Sequence, residues 1–152
     1  METKKLKARA SIQIQKTPKE VFEAIVDGEI MKHYFIASST GRLEAGKTVA
    51  WTFPEFPESF PVEGRIIKPG TYISFDWSDG IEGNLVEIFL NARQEDSTVI
   101  KVLEHAAEYN EEGVQWVVQQ TEGWANFLAC MKAWLEYGIH LRKGAFDFMR
   151  GS

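Results

Sequence analysis

At 152 residues the chain has the length of one ordinary domain, enough to bury roughly two-thirds of its unfolded surface around one core, so a single domain over residues 1–152 is expected. Seventeen Lys and Arg against twenty-two Asp and Glu give a net charge of −5, and that field repels phosphate backbones and anionic lipid, which excludes nucleic acid as the expected partner. The single cysteine, Cys130, cannot close an internal disulfide, no apolar run follows Met1 to Lys5, and no stretch approaches the ~20 apolar residues of a membrane span; a cytoplasmic protein without membrane insertion is the expectation.

From Lys7 to Gln15 apolar Ala8, Ala10, Ile12 and Ile14 alternate with polar residues, the period of a half-buried strand. Thr17-Pro18-Lys19-Glu20 then supplies an N-cap hydroxyl, a proline at the first helical position and a glutamate three residues after the cap. Val21, Phe22, Ile25 and Val26 share one face of that helix, and Gly28 is expected to end it before a second short helix around Glu29 to His33.

Between Ser39 and His105 five short β-like runs are divided by Glu44 to Lys47, Pro54 to Ser59, Lys68 to Gly70, Ser78 to Gly80 and Gln94 to Ser97, which reads as an antiparallel meander. Period two places Trp51 and Phe53, then Ile73, Phe75 and Trp77, then Val86, Ile88 and Leu90, then Ile100 and Val102 on one sheet face. From about Glu111 the period becomes 3.6, with Val114, Val117, Val118, Thr121, Trp124, Phe127, Leu128, Met131, Trp134 or Leu135, Gly138 and Leu141 recurring at steps of three and four. A helix from there to about His140 would be roughly 45 Å long at 1.5 Å per residue. The fold class expected is therefore α+β: a curved antiparallel sheet of about six to seven strands, two short helices and one long C-terminal helix laid across the sheet.

That order of elements resembles the START-like, or helix-grip, superfamily. Thr17-Pro18-Lys19-Glu20-Val21-Phe22-Glu23-Ala24 is similar to the family opening Pro-x-x-Val-Trp/Phe-x-Ala, and Gly64 to Trp77 to its strand-turn-strand segment ending in Phe-x-Trp. Gly123-Trp124-Ala125-Asn126-Phe127-Leu128 is similar to the Gly-Trp-x-x-x-Leu of homologues of the heat-shock-protein-90 ATPase activator, and the resemblance covers about residues 8 to 143. Two departures stand out. Asp27-Gly28-Glu29 replaces the family's Asp-Pro-Glu, and Glu104-His105-Ala106-Ala107 replaces its His-x-Gly, so a role tied to that histidine does not carry over.

Trp51, Phe53, Phe75, Trp77, Ile88, Trp124, Phe127, Met131 and Trp134 are the candidate walls of a ligand cavity between sheet and helix, because flat aromatic surfaces offer large apolar contact areas. The same rows at the same spacing also describe a filled core. Glu104 continues the Ile100 and Val102 row and should point toward the helix, where it would need a partner from Tyr34, His33, Arg42 or Tyr72; the competing reading turns it into solvent at the strand end. His33 and Tyr34 are placed at the cavity mouth. His33, His105 and His140 lack the paired spacing of metal ligands, and Cys130 beside Met131 reads as a buried thiol, so no metal and no cofactor are expected. The stiff apolar loop from Phe53 to Pro61 reads as a lid or contact surface, or as plain structure.

The leading functional expectation is a non-enzymatic binding protein for a small apolar or amphipathic molecule. A polyketide cyclase-like enzyme using the same cavity is implied by related helix-grip proteins and would require an ionisable group inside, from Glu104, His33 or Tyr34. The resemblance to chaperone ATPase activators implies a third reading, an interaction module that binds a chaperone or a second copy of itself.

Overall fold

The alternating segments form seven strands and the 3.6-period segments three helices in the computed structural model, which describes residues 5–77 and 85–150. In chain order these are β1 (Lys5–Ile14), α1 (Pro18–Val26), α2 (Gly28–Met31), β2 (Ser38–Ser39), β3 (Thr48–Thr52), β4 (Ser59–Lys68), β5 (Tyr72–Asp76), β6 (Leu85–Ala92), β7 (Thr98–Glu108) and α3 (Glu111–Tyr137). The strands make one curved antiparallel sheet in the order β1-β7-β6-β5-β4-β3-β2. From β2 to β7 it is a meander, and only β1 crosses over, to pair with β7. The turn expected at Ser78 to Gly80 lies outside the described residues.

Register carries the inner face across the sheet. Ile73 opposes Ile88, which opposes Val102; Phe75 opposes Val86, which opposes Glu104, which opposes Ala8. Each apolar residue of these rows is buried, because a period-two strand turns the whole set to one side. Against that face α3 lays Trp124, Phe127, Leu128 and Met131, a stripe at steps of three and four.

The helix ends explain themselves locally. Thr17 Oγ1 accepts the Glu20 amide at 3.2 Å and Pro18 occupies the first turn of α1. Asn110 caps α3 by accepting the Gly113 amide at 2.8 Å. A Cβ on Gly113 would stand 1.8 Å from the Glu108 carbonyl oxygen, so the chain turns from β7 into α3 too tightly for any side chain there.

Three expectations are corrected. Gly28 does not end α1; Asp27 separates the two short helices, closing α1 with its backbone and opening α2 by accepting the Glu29 amide at 2.9 Å. What Gly28 supplies is room, since a Cβ there would meet the Ser39 Cβ at 2.8 Å. The long helix stops at Tyr137, near 40 Å, because Gly138 adopts a left-handed conformation (φ 66°) that only glycine takes freely, which leaves His140 and Leu141 beyond its end. Val114 and Val118, expected in the buried row, are more than half exposed, so the first turns of α3 present apolar residues outward.

Candidate functional site

The polar centre of the inner face is Glu104, 1% exposed and held by three donors. Its Oε1 accepts the indole N–H of Trp124 at 2.8 Å and the side-chain amide of Gln120 at 2.7 Å, and its Oε2 accepts the indole N–H of Trp77 at 2.8 Å. Strand alternation aims Glu104 at the helix, and Gln120 and Trp124, four apart on α3, come down on the same side of it. The reading that turns Glu104 into solvent is thereby excluded. The four partners expected for it are engaged elsewhere. Tyr34 donates to the Ala24 carbonyl at 2.6 Å, Arg42 forms a two-point pair with Glu23 at 2.8 and 2.9 Å, Tyr72 donates to Glu87 at 2.5 Å, and His33 stacks on Trp134 with centroids 4.2 Å apart. The donors that do meet Glu104 are two indoles and an amide, whose N–H groups are concealed in residues that otherwise read as apolar wall or helix surface.

Immediately beside this cluster is a pocket of about 190 Å³, partly open to solvent, lined by Phe35, Phe53, Glu55, Phe56, Trp77, Gln120, Gly123, Trp124, Arg142, Phe146 and Met149. Trp77 and Trp124 form one wall as a stacked pair, 5.2 Å between centroids, their indoles fixed in place by Glu104. Phe35 meets Phe53 edge to face at 5.1 Å on another side. Gly123 lines the pocket from α3, and a Cβ built on it meets nothing within 4 Å.

The rim is closed by two segments. One is the loop between β3 and β4, which contributes Glu55 and Phe56. The other is the chain after Gly138, which folds through successive turns and a short 3-10 helix at Asp147–Met149 and places Arg142, Phe146 and Met149 against the pocket. The two are clamped by a nearly buried ion pair, Arg142 Nη2 donating to Glu55 Oε1 at 2.7 Å with side-chain exposures of 12% and 3%. The guanidinium also lies over the rings of Phe146, Phe53 and Phe35 at 4.7, 5.3 and 5.6 Å. Its Nε is buried and has no hydrogen-bond partner among the described residues.

Of the cavity residues expected from sequence, Phe53, Trp77 and Trp124 line this pocket. Trp51, Phe75, Ile88, Phe127 and Met131 lie instead in the close-packed core, each at most 2% exposed. Glu104 stands behind the tryptophan wall. Trp134 packs at the core margin on His33. Tyr34 is not at a mouth: it is fully buried, and burial pushes its hydroxyl well above the usual tyrosine range. His33 does not line the pocket either. Cys130 is buried, its thiol raised by burial with a smaller opposing pull from Arg142.

Sequence reasoning passed over Phe35, Glu55, Gln120, Arg142, Phe146 and Met149. Two stretches carried a signal: the loop from Phe53 to Pro61, read above as a lid or contact surface, holds Glu55, and Phe146, Phe148 and Met149 are more apolar than a solvated segment requires. On the outer sheet face Tyr72, Glu87 and His105 form a separate cluster, with His105 Nε2 2.6 Å from Glu87 Oε1. Among the described residues no group of three His, Cys, Asp or Glu could hold a metal, and no helix is long and apolar enough to cross a membrane.

A curved antiparallel sheet gripping a long C-terminal helix, with an aromatic pocket at one end of the grip, defines a helix-grip α+β domain. The chain belongs to the family described as activator of Hsp90 ATPase homolog 1-like proteins, which matches residues 15–136. No curated protein matches it. Among solved structures it is similar to a protein of Staphylococcus saprophyticus (26% identity, TM-score 0.77, covering 88% of this chain and 94% of that one). It is similar in fold to the Aha1 dimer of Colwellia psychrerythraea (17% identity, TM-score 0.73, 88% and 98% covered). DynU16, a protein of the dynemicin biosynthetic locus, also shares the fold (21% identity, TM-score 0.75), and there the chain covers 87% of itself but 48% of its neighbour.

Proposed function

We propose that the protein binds a small, ring-containing apolar or amphipathic molecule in the pocket between the Trp77–Trp124 wall and the Arg142–Glu55 clamp. The observation that carries this reading is Gly123. A glycine in the middle of a helix costs about 1 kcal/mol relative to alanine; here Gly123 lines the pocket, and no neighbour demands it, since a Cβ built on it meets nothing within 4 Å. Size supports the reading: an engineered apolar cavity of about 150 Å³ takes up benzene, and this pocket is about 190 Å³. One aromatic ring with a fused small ring or short chain fits.

Catalysis is less well supported. Glu104 lies behind the wall with both oxygens accepting hydrogen bonds, and the ionisable groups that face the pocket, Glu55 and Arg142, are paired with one another. The family description by itself supports a chaperone partner, and a pull-down from native lysate that returned a chaperone would favour it.

The test is Gly123→Leu. It should fold at least as stably as the parent, since a helix-breaking residue is removed and a Cβ there meets nothing within 4 Å, and it should bind ring compounds at least tenfold more weakly by calorimetry. Parent-like binding in that variant, or no ring compound bound by the parent, rejects the proposal.

A further inference from the structure

Arg142 is placed as a ligand-reading group would be, yet it is only partly used. A guanidinium presents five N–H donors in one plane. The structure shows Nη2 donating to Glu55, while Nε is buried without an acceptor among the described residues. A buried donor left unmade is unfavourable because its hydration has been given up and nothing replaces it. Arg142 also lines the pocket. An acceptor atom carried by a pocket ligand can bond guanidinium N–H groups other than the one given to Glu55, and Nε, sealed from solvent as it stands, joins in only when the Arg142 side chain shifts toward the ligand.

The charge around Arg142 decides what kind of acceptor. Glu55, 3% exposed in its side chain and 2.7 Å away, already balances the guanidinium. Glu104 lies one residue layer behind, through Trp77, Gln120 and Trp124. A carboxylate brought into the pocket would add negative charge to a site with no unbalanced cation, in an apolar setting where such charge is poorly screened. A neutral carbonyl oxygen gains the hydrogen bond without that repulsion.

We infer that the pocket selects a neutral aromatic molecule bearing a carbonyl-type oxygen, which accepts a hydrogen bond from Arg142. This rests on the proposed pocket function and narrows its ligand class. Arg142 is thus a specificity-determining residue delivered by the segment after α3.

The probes are three molecules of one shape: indane, indan-1-one and indane-1-carboxylate, titrated by calorimetry into the full chain. The expected result is that indan-1-one binds about tenfold more tightly than indane and more tightly than the carboxylate. In Arg142→Met the ketone and the hydrocarbon should bind alike. Because that variant strands Glu55, the double variant Glu55→Gln with Arg142→Met removes both members of the pair and should show the same equality. Equal affinities for ketone and hydrocarbon in the parent would overturn the inference and leave the pocket reading standing. The carboxylate binding best would overturn the claim of neutrality, and a ketone preference that survives in the double variant would overturn the role of Arg142. If none of the three binds, the pocket reading falls and the inference falls with it.

Discussion

Trp77, immediately after β5, and Trp124 in α3 stack with 29° between their planes, and both donate their indole N–H to the one carboxyl group of Glu104. The sheet and the helix are therefore joined at this point by a polar clamp inside an otherwise apolar layer. Buried polar groups of this kind are stabilising only when every member is satisfied.

Glu104→Gln tests the clamp. An amide of the same shape must turn an N–H toward at least one donor that now finds an acceptor, and one buried donor is left unpaired. The expected loss is about 1–3 kcal/mol in urea denaturation, with a shift in tryptophan emission as the indoles lose their fixed environment. An unchanged midpoint and spectrum would show that Glu104 does not hold the pair.

Core and pocket wall should separate on truncation. Phe127 and Met131, 1% and 0% exposed, have neighbours on all sides, and replacement by alanine should cost about 2–5 kcal/mol. Phe56, 43% exposed on the pocket rim, should lose well under about 1 kcal/mol of stability as alanine yet weaken binding of a ring compound. Denaturation midpoints compared with calorimetric affinities check both halves. A binding affinity unmoved by Phe56→Ala would remove the loop from the site.

Gly64→Ala should be destabilising well beyond the effect of an ordinary strand substitution. A Cβ there would lie 2.1 Å from the Glu44 carbonyl oxygen, a backbone atom that cannot swing aside, where the loop before β3 crosses β4. Overpacking against backbone costs about 1–3 kcal/mol, read as a fall in Tm. A wild-type Tm would mean that the loop moves freely away.

Acid should weaken the outer sheet face. For Glu87, burial pushes the carboxyl up, but the Tyr72 hydroxyl, His105 and Lys7 together outweigh it and hold the pKa below the usual glutamate value. A carboxylate whose pKa is lower in the folded state stabilises above its unfolded pKa, and that contribution is lost as the pH falls through the folded value. Stability should therefore drop from about pH 5 downward, and Glu87→Gln should flatten that part of the profile. The readout is the urea midpoint measured across pH 3 to 7. An identical slope in the variant would rule Glu87 out as a source of the acid sensitivity.

The fold was legible because it rests on periodicity, which is a local property of the chain. The two rows from Ile73 to Trp77 and from Val86 to Leu90 announce strands and their inward faces, and the stripe from Trp124 to Met131 announces the helix that covers them. The break at Gly138 was also present in the sequence, but a residue that fits the helical period hides its role as a terminator until its backbone conformation is seen.

What the sequence alone determined was which residues turn inward. Whether inward space is filled or open was decided only when the elements packed: Phe127, Met131 and Phe75 closed the middle of the grip, while Gly123 and the gap beside Trp124 left one end open. The site's charged pair lay further out of reach. Glu55 and Arg142 belong to a loop and a tail eighty-seven positions apart, and neither follows any period. Periodicity reports how a residue faces its own element, and it carries no information about which distant loop the folded chain will set against it.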